Sequence, residues 1–135
     1  MSNSSDFPLA VVANACAGAA ALRTRLAAHG LDTTAIARLV NTSPLTIARA
    51  TKTGATPRGV LIGLAALTTV VDRLVERGVD VADIARGGAA VDSAVSDIAA
   101  QSPVASRMLN RLRTVSDLAP GPVQLSLESV VRAAA

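Results

Sequence analysis

Aromatic residues are almost missing from this sequence: its 135 residues include one phenylalanine and no tyrosine or tryptophan. A large aromatic-lined ligand pocket is therefore not expected, and neither is stacking of single-stranded nucleic acid on aromatic side chains. Cys16 and His29 are the only cysteine and histidine, which excludes an internal disulfide framework, a zinc finger and most metal sites. Because a catalytic triad would depend on His29 alone, we expect neither an enzyme nor a cofactor.

Small aliphatic residues are what the sequence has in excess. Half of the 135 residues are apolar, and 28 are alanine, the strongest helix former. No stretch shows several runs of alternating polarity, so the sequence predicts an all-α protein. At 13.6 kDa it should form a compact bundle of about five to seven helices, in one domain or two very small ones.

The charge is concentrated in the middle of the chain. Residues 23–77 hold eight bases and three acids, a net charge of +5, whereas the segments on either side each carry −1. A localised basic excess points to a polyanionic partner for this region. The apolar run 7–22 has no basic residue before it and is short for a membrane span, so we expect a cytoplasmic protein without a membrane partner.

Apolar spacing and helix-stop signals define the expected elements. The predicted helices are 9–28, 34–40, 44–53, 57–77, 81–86, 92–100 and 103–117. The inward stripe of the first helix should comprise Val12, Ala15, Cys16, Ala19, Leu22 and Leu26, with His29 and Gly30 at its end. In the long helix 57–77 the stripe should comprise Leu61, Leu64, Ala65, Leu67, Val71, Leu74 and Val75.

Short polar residues before prolines mark several helix starts. A capping residue followed by a proline at the first helical position is predicted at three places: Ser43-Pro44, Thr56-Pro57 and Ser102-Pro103. Asp32 or Thr33 should cap helix 34–40, and Gly54 should end helix 44–53.

Two breaks divide the chain into three expected parts. Gly87-Gly88 separates a domain of residues 1–86 from a helical subdomain of residues 89–118. The segment Ala119-Pro120-Gly121-Pro122 is the second break, and we expect a flexible tail over residues 119–135. Within this tail, residues 123–127 alternate briefly in polarity.

Residues 33–52, TTAIARLVNTSPLTIARATK, carry the most specific pattern. A small residue, Ala37, stands where two helices would cross, and Asn41 follows four residues later, where the turn needs a positive φ. Ile47 and Ala50 would then anchor the second helix in the core. This segment resembles the helix-turn-helix of Cro/repressor-type DNA-binding proteins. Thr42 departs from the usual larger aliphatic residue, and Ala50 is small for its site; the alternative is a purely structural helical hairpin.

The resemblance implies a set of DNA-contacting residues. The second helix would lie in the major groove, with Arg49 reading a guanine edge and Leu45 and Ala48 contacting thymine methyl groups. Ser43 and Thr46 would reach a base or a phosphate. The implied backbone contacts are Arg38, Lys52, Thr53 and Arg58.

A second basic segment lies at residues 102–113. Its buried stripe is expected to be Ala105, Met108, Leu109, Leu112 and Val115. Arg107 and Arg111 would lie on the opposite, solvated face and are further candidates for contact with DNA. Packing in the core or dimerisation is the alternative role of this helix.

Together these features resemble small transcriptional repressors, most closely the immunity repressors of temperate actinobacterial phages. The resemblance implies operator DNA as partner, a possible homodimer, and a host protease that recognises the Ala-rich segment 130–135 as a degradation tag. An antitoxin-like regulator that binds a protein through its C-terminal helices is the first alternative. A helical adaptor without a role in DNA binding is the second.

Overall fold

The computed structural model describes residues 6–53 and 56–118, and that part of the chain is all-helical, as predicted. Its eight helices are α1 Asp6–Ala15, α2 Ala19–Ala28, α3 Thr33–Leu39, α4 Pro44–Thr53, α5 Arg58–Glu76, α6 Val81–Arg86, α7 Ala89–Ala99 and α8 Pro103–Leu118. The predictions for Gly54, for the side chain of Val115 and for the tail 119–135 lie outside the described residues.

The prediction of one continuous helix over residues 9–28 is wrong. The segment forms two helices, α1 and α2, bent by 110° at a break where Gly18 has a φ of 88°. An unbroken 20-residue helix would be about 30 Å long, whereas the bend lets both halves pack against α5. The predicted inward stripe therefore fails over its first part: Val12 of α1 and Cys16 of the break are exposed, and Phe7 and Val11 are buried instead.

Helix α5 is the centre of the hydrophobic core and packs against α1, α2, α7 and α8. Its residues 64–71 are all buried, including two threonines whose hydroxyl groups donate to carbonyl oxygens one turn earlier. Most of the predicted stripe is buried, but Val75 is 41% exposed and the prediction for it is wrong. The predicted cap at Thr56 is also wrong, because Pro57 with a ψ of 141° is itself the N-cap and the helix begins at Arg58.

The last three helices complete the same core. Asp83 accepts a hydrogen bond of 3.0 Å from the backbone N–H of Asp80, which fixes the start of α6. Gly87 and Gly88, with φ of 70° and 113°, then turn the chain into α7. Helix α8 packs against α3, α5, α6 and α7, and its buried residues belong to one hydrophobic cluster with those of α1 to α5. The division into 1–86 and 89–118 stays a prediction.

Candidate nucleic-acid interface

The segment singled out by its sequence pattern folds as two helices, α3 and α4, joined by a tight turn. The side chain of Asp32 caps α3 by accepting from the N–H of Ala35 at 2.8 Å. At the end of α3, Asn41 adopts a φ of 58°, the positive value predicted for the turn. Backbone hydrogen bonds from Asn41 to Arg38 O and from Thr42 to Ala37 O close the turn. Asparagine serves here where glycine is more usual, because its short polar side chain tolerates the left-handed conformation.

Helix α4 has one buried face and one open face. Ser43 caps it by accepting from the N–H of Thr46 at 3.1 Å, as predicted, and Pro44 is the first helical residue. Ile47 and Ala50 have no exposed surface, and they face α2 and α3, against which α4 packs. The small Ala37 is likewise buried on the neighbouring helix. The predicted anchors therefore seat α4 in the core and leave its other side in solvent.

The open face of α4 carries most of the residues predicted to contact DNA. Leu45 is 57% exposed, and the side chains of Ala48, Arg49, Lys52 and Thr53 are exposed as well. This face combines positive charge with an apolar contact surface.

The three hydroxyl groups that were predicted to contact DNA already form hydrogen bonds inside the protein. The hydroxyls of Ser43 and Thr46 share a hydrogen bond of 2.9 Å, and Thr46 is only half-exposed. Thr53 Oγ1 donates to the carbonyl oxygen of Arg49 at 2.8 Å. A phosphate oxygen needs a donor, so Thr53 could bind one only by giving up its local bond, whereas one hydroxyl of the Ser43–Thr46 pair keeps its O–H free.

Arg23 and Arg111 donate hydrogen bonds to Thr33 Oγ1 and to the carbonyl oxygen of Leu39, and the other cations with described side chains fall into two groups. Arg25, Arg77 and Arg113 form ion pairs with Asp72, Asp97 and Asp92 respectively. The second group has neither an ion-pair nor a hydrogen-bond partner for its charged head among residues 6–53 and 56–118, and includes Arg38, Arg49, Lys52, Arg58 and Arg107. No acid occurs between residues 33 and 71 to neutralise its first four members. The unpaired cations are therefore mostly those predicted to meet DNA.

A cleft next to the turn brings α8 into the candidate interface. Its volume is about 330 Å³, and its lining includes Asn41 of the turn, Gly59 at the start of α5, and Arg107 and Arg111 of α8. Arg107 and Arg111 are both exposed, and one N–H of Arg111 donates to the carbonyl oxygen of Leu39 at 3.0 Å. Sequence spacing gave no signal for this proximity, because Arg111 and Leu39 are 72 positions apart.

Other kinds of site have little support in the described part of the chain. It contains no group of three or more His, Cys, Asp or Glu side chains able to hold a metal ion. It also contains no single helix that is both long enough and apolar enough to cross a membrane. His29 is the exposed C-cap of α2, the structural place expected for it.

The chain was also compared with known proteins. No family model, no curated protein and no solved structure matches it.

Proposed function

We propose that this protein binds double-stranded DNA in a sequence-specific manner and represses transcription by occupying an operator. The observation that carries the proposal is the two-sided character of α4. Ile47 and Ala50 anchor one side in the core, and the opposite side presents Arg49 and Lys52 without partners among the described residues. A helix of 10 residues held in this way has the dimensions to enter a major groove.

The proposed readout assigns different tasks to different side chains of α4. Arg49 forms a bidentate contact with a guanine, which discriminates by about 1–3 kcal/mol against other bases. Leu45 and Ala48 contact thymine methyl groups. Lys52 binds a phosphate and holds the helix in register without reading sequence.

Further phosphate contacts come from residues beside α4. Arg38 near the end of α3 and Arg58 at the start of α5 are both exposed and unpaired within the described residues. Arg107 lines the cleft next to the turn and would hold the backbone from α8. A single helix-turn-helix gives modest affinity, so we propose that these contacts, or a dimer on paired half-sites, supply the rest.

The experiment that tests this function selects binding sequences from a pool of random DNA duplexes and then measures binding to the selected sequence. Arg49→Ala is expected to abolish preference for the selected duplex and to leave weak, salt-dependent binding to any duplex. Arg73→Ala is the matched control, since Arg73 also has no partner among the described residues. It lies about 22 Å along α5 from Arg58, the proposed phosphate contact on that helix. Failure of the unmodified protein to enrich any sequence would contradict the proposal.

The resemblance noted for residues 33–52 makes a phage immunity repressor the narrower form of this proposal. In that case the selected sequence should recur in the DNA upstream of the protein's own gene. Expression of the chain from a plasmid should then silence a reporter driven by that upstream DNA, and Arg49→Ala should restore reporter expression.

An apolar groove favours a second candidate, an antitoxin-like regulator that also binds a protein. The groove has a volume of about 260 Å³ and lies between α1, α5 and α8. Three apolar side chains on its lining are substantially exposed, Val12 by 58%, Ile62 by 43% and Val104 by 39%. Co-expression with the product of the adjacent gene, followed by mass measurement, tests this candidate. The expected result is a complex that Val104→Asp prevents.

A further inference from the structure

The end of α3 shows an almost complete set of backbone hydrogen bonds. The last four carbonyl groups of a helix have no partner within the helix and need hydrogen-bond donors from elsewhere. After the last regular helical bond, from Val40 to Ile36, the backbone N–H groups of Thr42 and Asn41 satisfy the carbonyl oxygens of Ala37 and Arg38. This arrangement is the Schellman motif, with Asn41 as its left-handed residue.

The next carbonyl belongs to Leu39, and the backbone of the turn provides no donor for it. Its partner is the guanidinium of Arg111, which reaches it from α8 at 3.0 Å. Leu39 has no exposed surface, so solvent is poorly placed to take over this role. Arg111 therefore completes the hydrogen bonding of a turn that lies 72 residues earlier in the sequence.

Arg107 provides a contrast on the same helix. It lies one turn before Arg111 and lines the same cleft, yet among the described residues its guanidinium has no hydrogen-bond or ion-pair partner. Two arginines that look equivalent by sequence thus have different surroundings. Both side chains are exposed, but Arg111 is engaged with the protein backbone, whereas Arg107 has no partner among the described residues.

We propose that Arg111 is a positioning residue of the DNA-binding motif, whereas Arg107 is its phosphate contact on α8. Arg111 holds the turn between α3 and α4 and thereby sets the orientation in which α4 is presented. Through this contact α8 controls the geometry of the motif without touching the bases. The inference rests on the proposed DNA-binding function.

Hydrogen exchange tests the positioning role without DNA. Arg111→Met keeps the aliphatic stem and removes the donor, and Arg107→Met is the matched control one turn away. Arg111→Met is expected to speed exchange of the Val40, Asn41 and Thr42 amides at least several-fold and to leave the buried centre of α5 protected. Arg107→Met is expected to change none of these amides. Unchanged exchange in the turn of Arg111→Met, or an equal loss of protection throughout α5, would overturn the inference.

Binding to a selected duplex at several salt concentrations provides the second test. Arg111→Met is expected to weaken binding by about three- to thirty-fold while the slope of log K against log salt stays constant. Arg107→Met is expected to reduce that slope by about one, the effect of one lost phosphate contact. A reduced slope for Arg111→Met would make Arg111 a phosphate contact and overturn the inference. If the unmodified protein binds no duplex, the proposed function fails, and the exchange experiment still decides whether Arg111 holds the turn.

Discussion

Gly63 of α5 lies so close to Val40 that a Cβ atom on the glycine would be 3.1 Å from the Val40 Cβ. Val40 is the C-cap of α3, directly before the turn that leads to α4. The absence of a side chain at position 63 therefore lets the central helix approach the motif. The position of α3 and α4 relative to the core depends on this contact as well as on Arg111.

Substitution of Gly63 tests that contact. Gly63→Ala is expected to lower the free energy of unfolding by about 1 kcal/mol, because crowding against Val40 outweighs the better helix propensity of alanine. Gly59→Ala on the same helix is the control, since a Cβ there would meet no atom within 4 Å. It is expected to raise the free energy of unfolding by about 0.5 kcal/mol. Urea denaturation measures both, and equal stabilisation by the two variants would contradict the close approach.

The positive φ of Asn41 predicts a distinct order of stability among substitutions. Asn41→Ala is expected to lower the free energy of unfolding by about 1 kcal/mol, because a Cβ disfavours the left-handed conformation and alanine lacks the compensating polar group. Asn41→Gly is expected to be as stable as the unmodified protein or slightly more stable. Thermal unfolding followed by circular dichroism gives the order. An alanine variant at least as stable as the glycine variant would show that the turn does not need this conformation.

A hydrogen bond between α1 and α5 predicts a loss of stability away from the DNA-binding motif. The amide of Asn14 donates to Thr69 Oγ1 at 2.8 Å and its oxygen accepts from Arg25 at 3.0 Å. Asn14→Ala is expected to lower the free energy of unfolding by about 1–2 kcal/mol. The exposed Asn110 of α8 provides the control, because Asn110→Ala should change the free energy of unfolding by less than about 0.5 kcal/mol. Similar values from urea denaturation of the two variants would show that the Asn14 contact contributes nothing.

Lys52 distinguishes contact with the DNA backbone from base reading on the same helix. Lys52→Met is expected to weaken binding to selected and unselected duplexes by the same factor, and to reduce the slope of log K against log salt by about one. Fluorescence anisotropy at several salt concentrations measures both quantities. Arg73→Met should leave the slope unchanged. A loss confined to the selected duplex would instead place Lys52 at a base.

Local patterns predicted much of the motif correctly. The all-α class, the positive φ of Asn41, the cap at Ser43 and the buried positions of Ile47 and Ala50 are each confirmed. These features depend on residues within a few positions of one another, where backbone sterics and helical periodicity decide the outcome. Thr56 and Val75 show the limit of such patterns, since their expected roles were wrong.

The sequence by itself determined where α3 begins and ends and where α4 begins, because capping, proline and the left-handed turn are local effects of backbone geometry. Tertiary packing alone decided that the first apolar run bends at Gly18 to cover α5, and that Arg111 meets Leu39 across 72 residues. Both depend on which surfaces are brought together when apolar area is buried, and spacing along the chain does not encode that choice. For the same reason, two exposed arginines one turn apart on α8 differ in their partners: Arg111 is bonded to the turn, and Arg107 is bonded to no described residue.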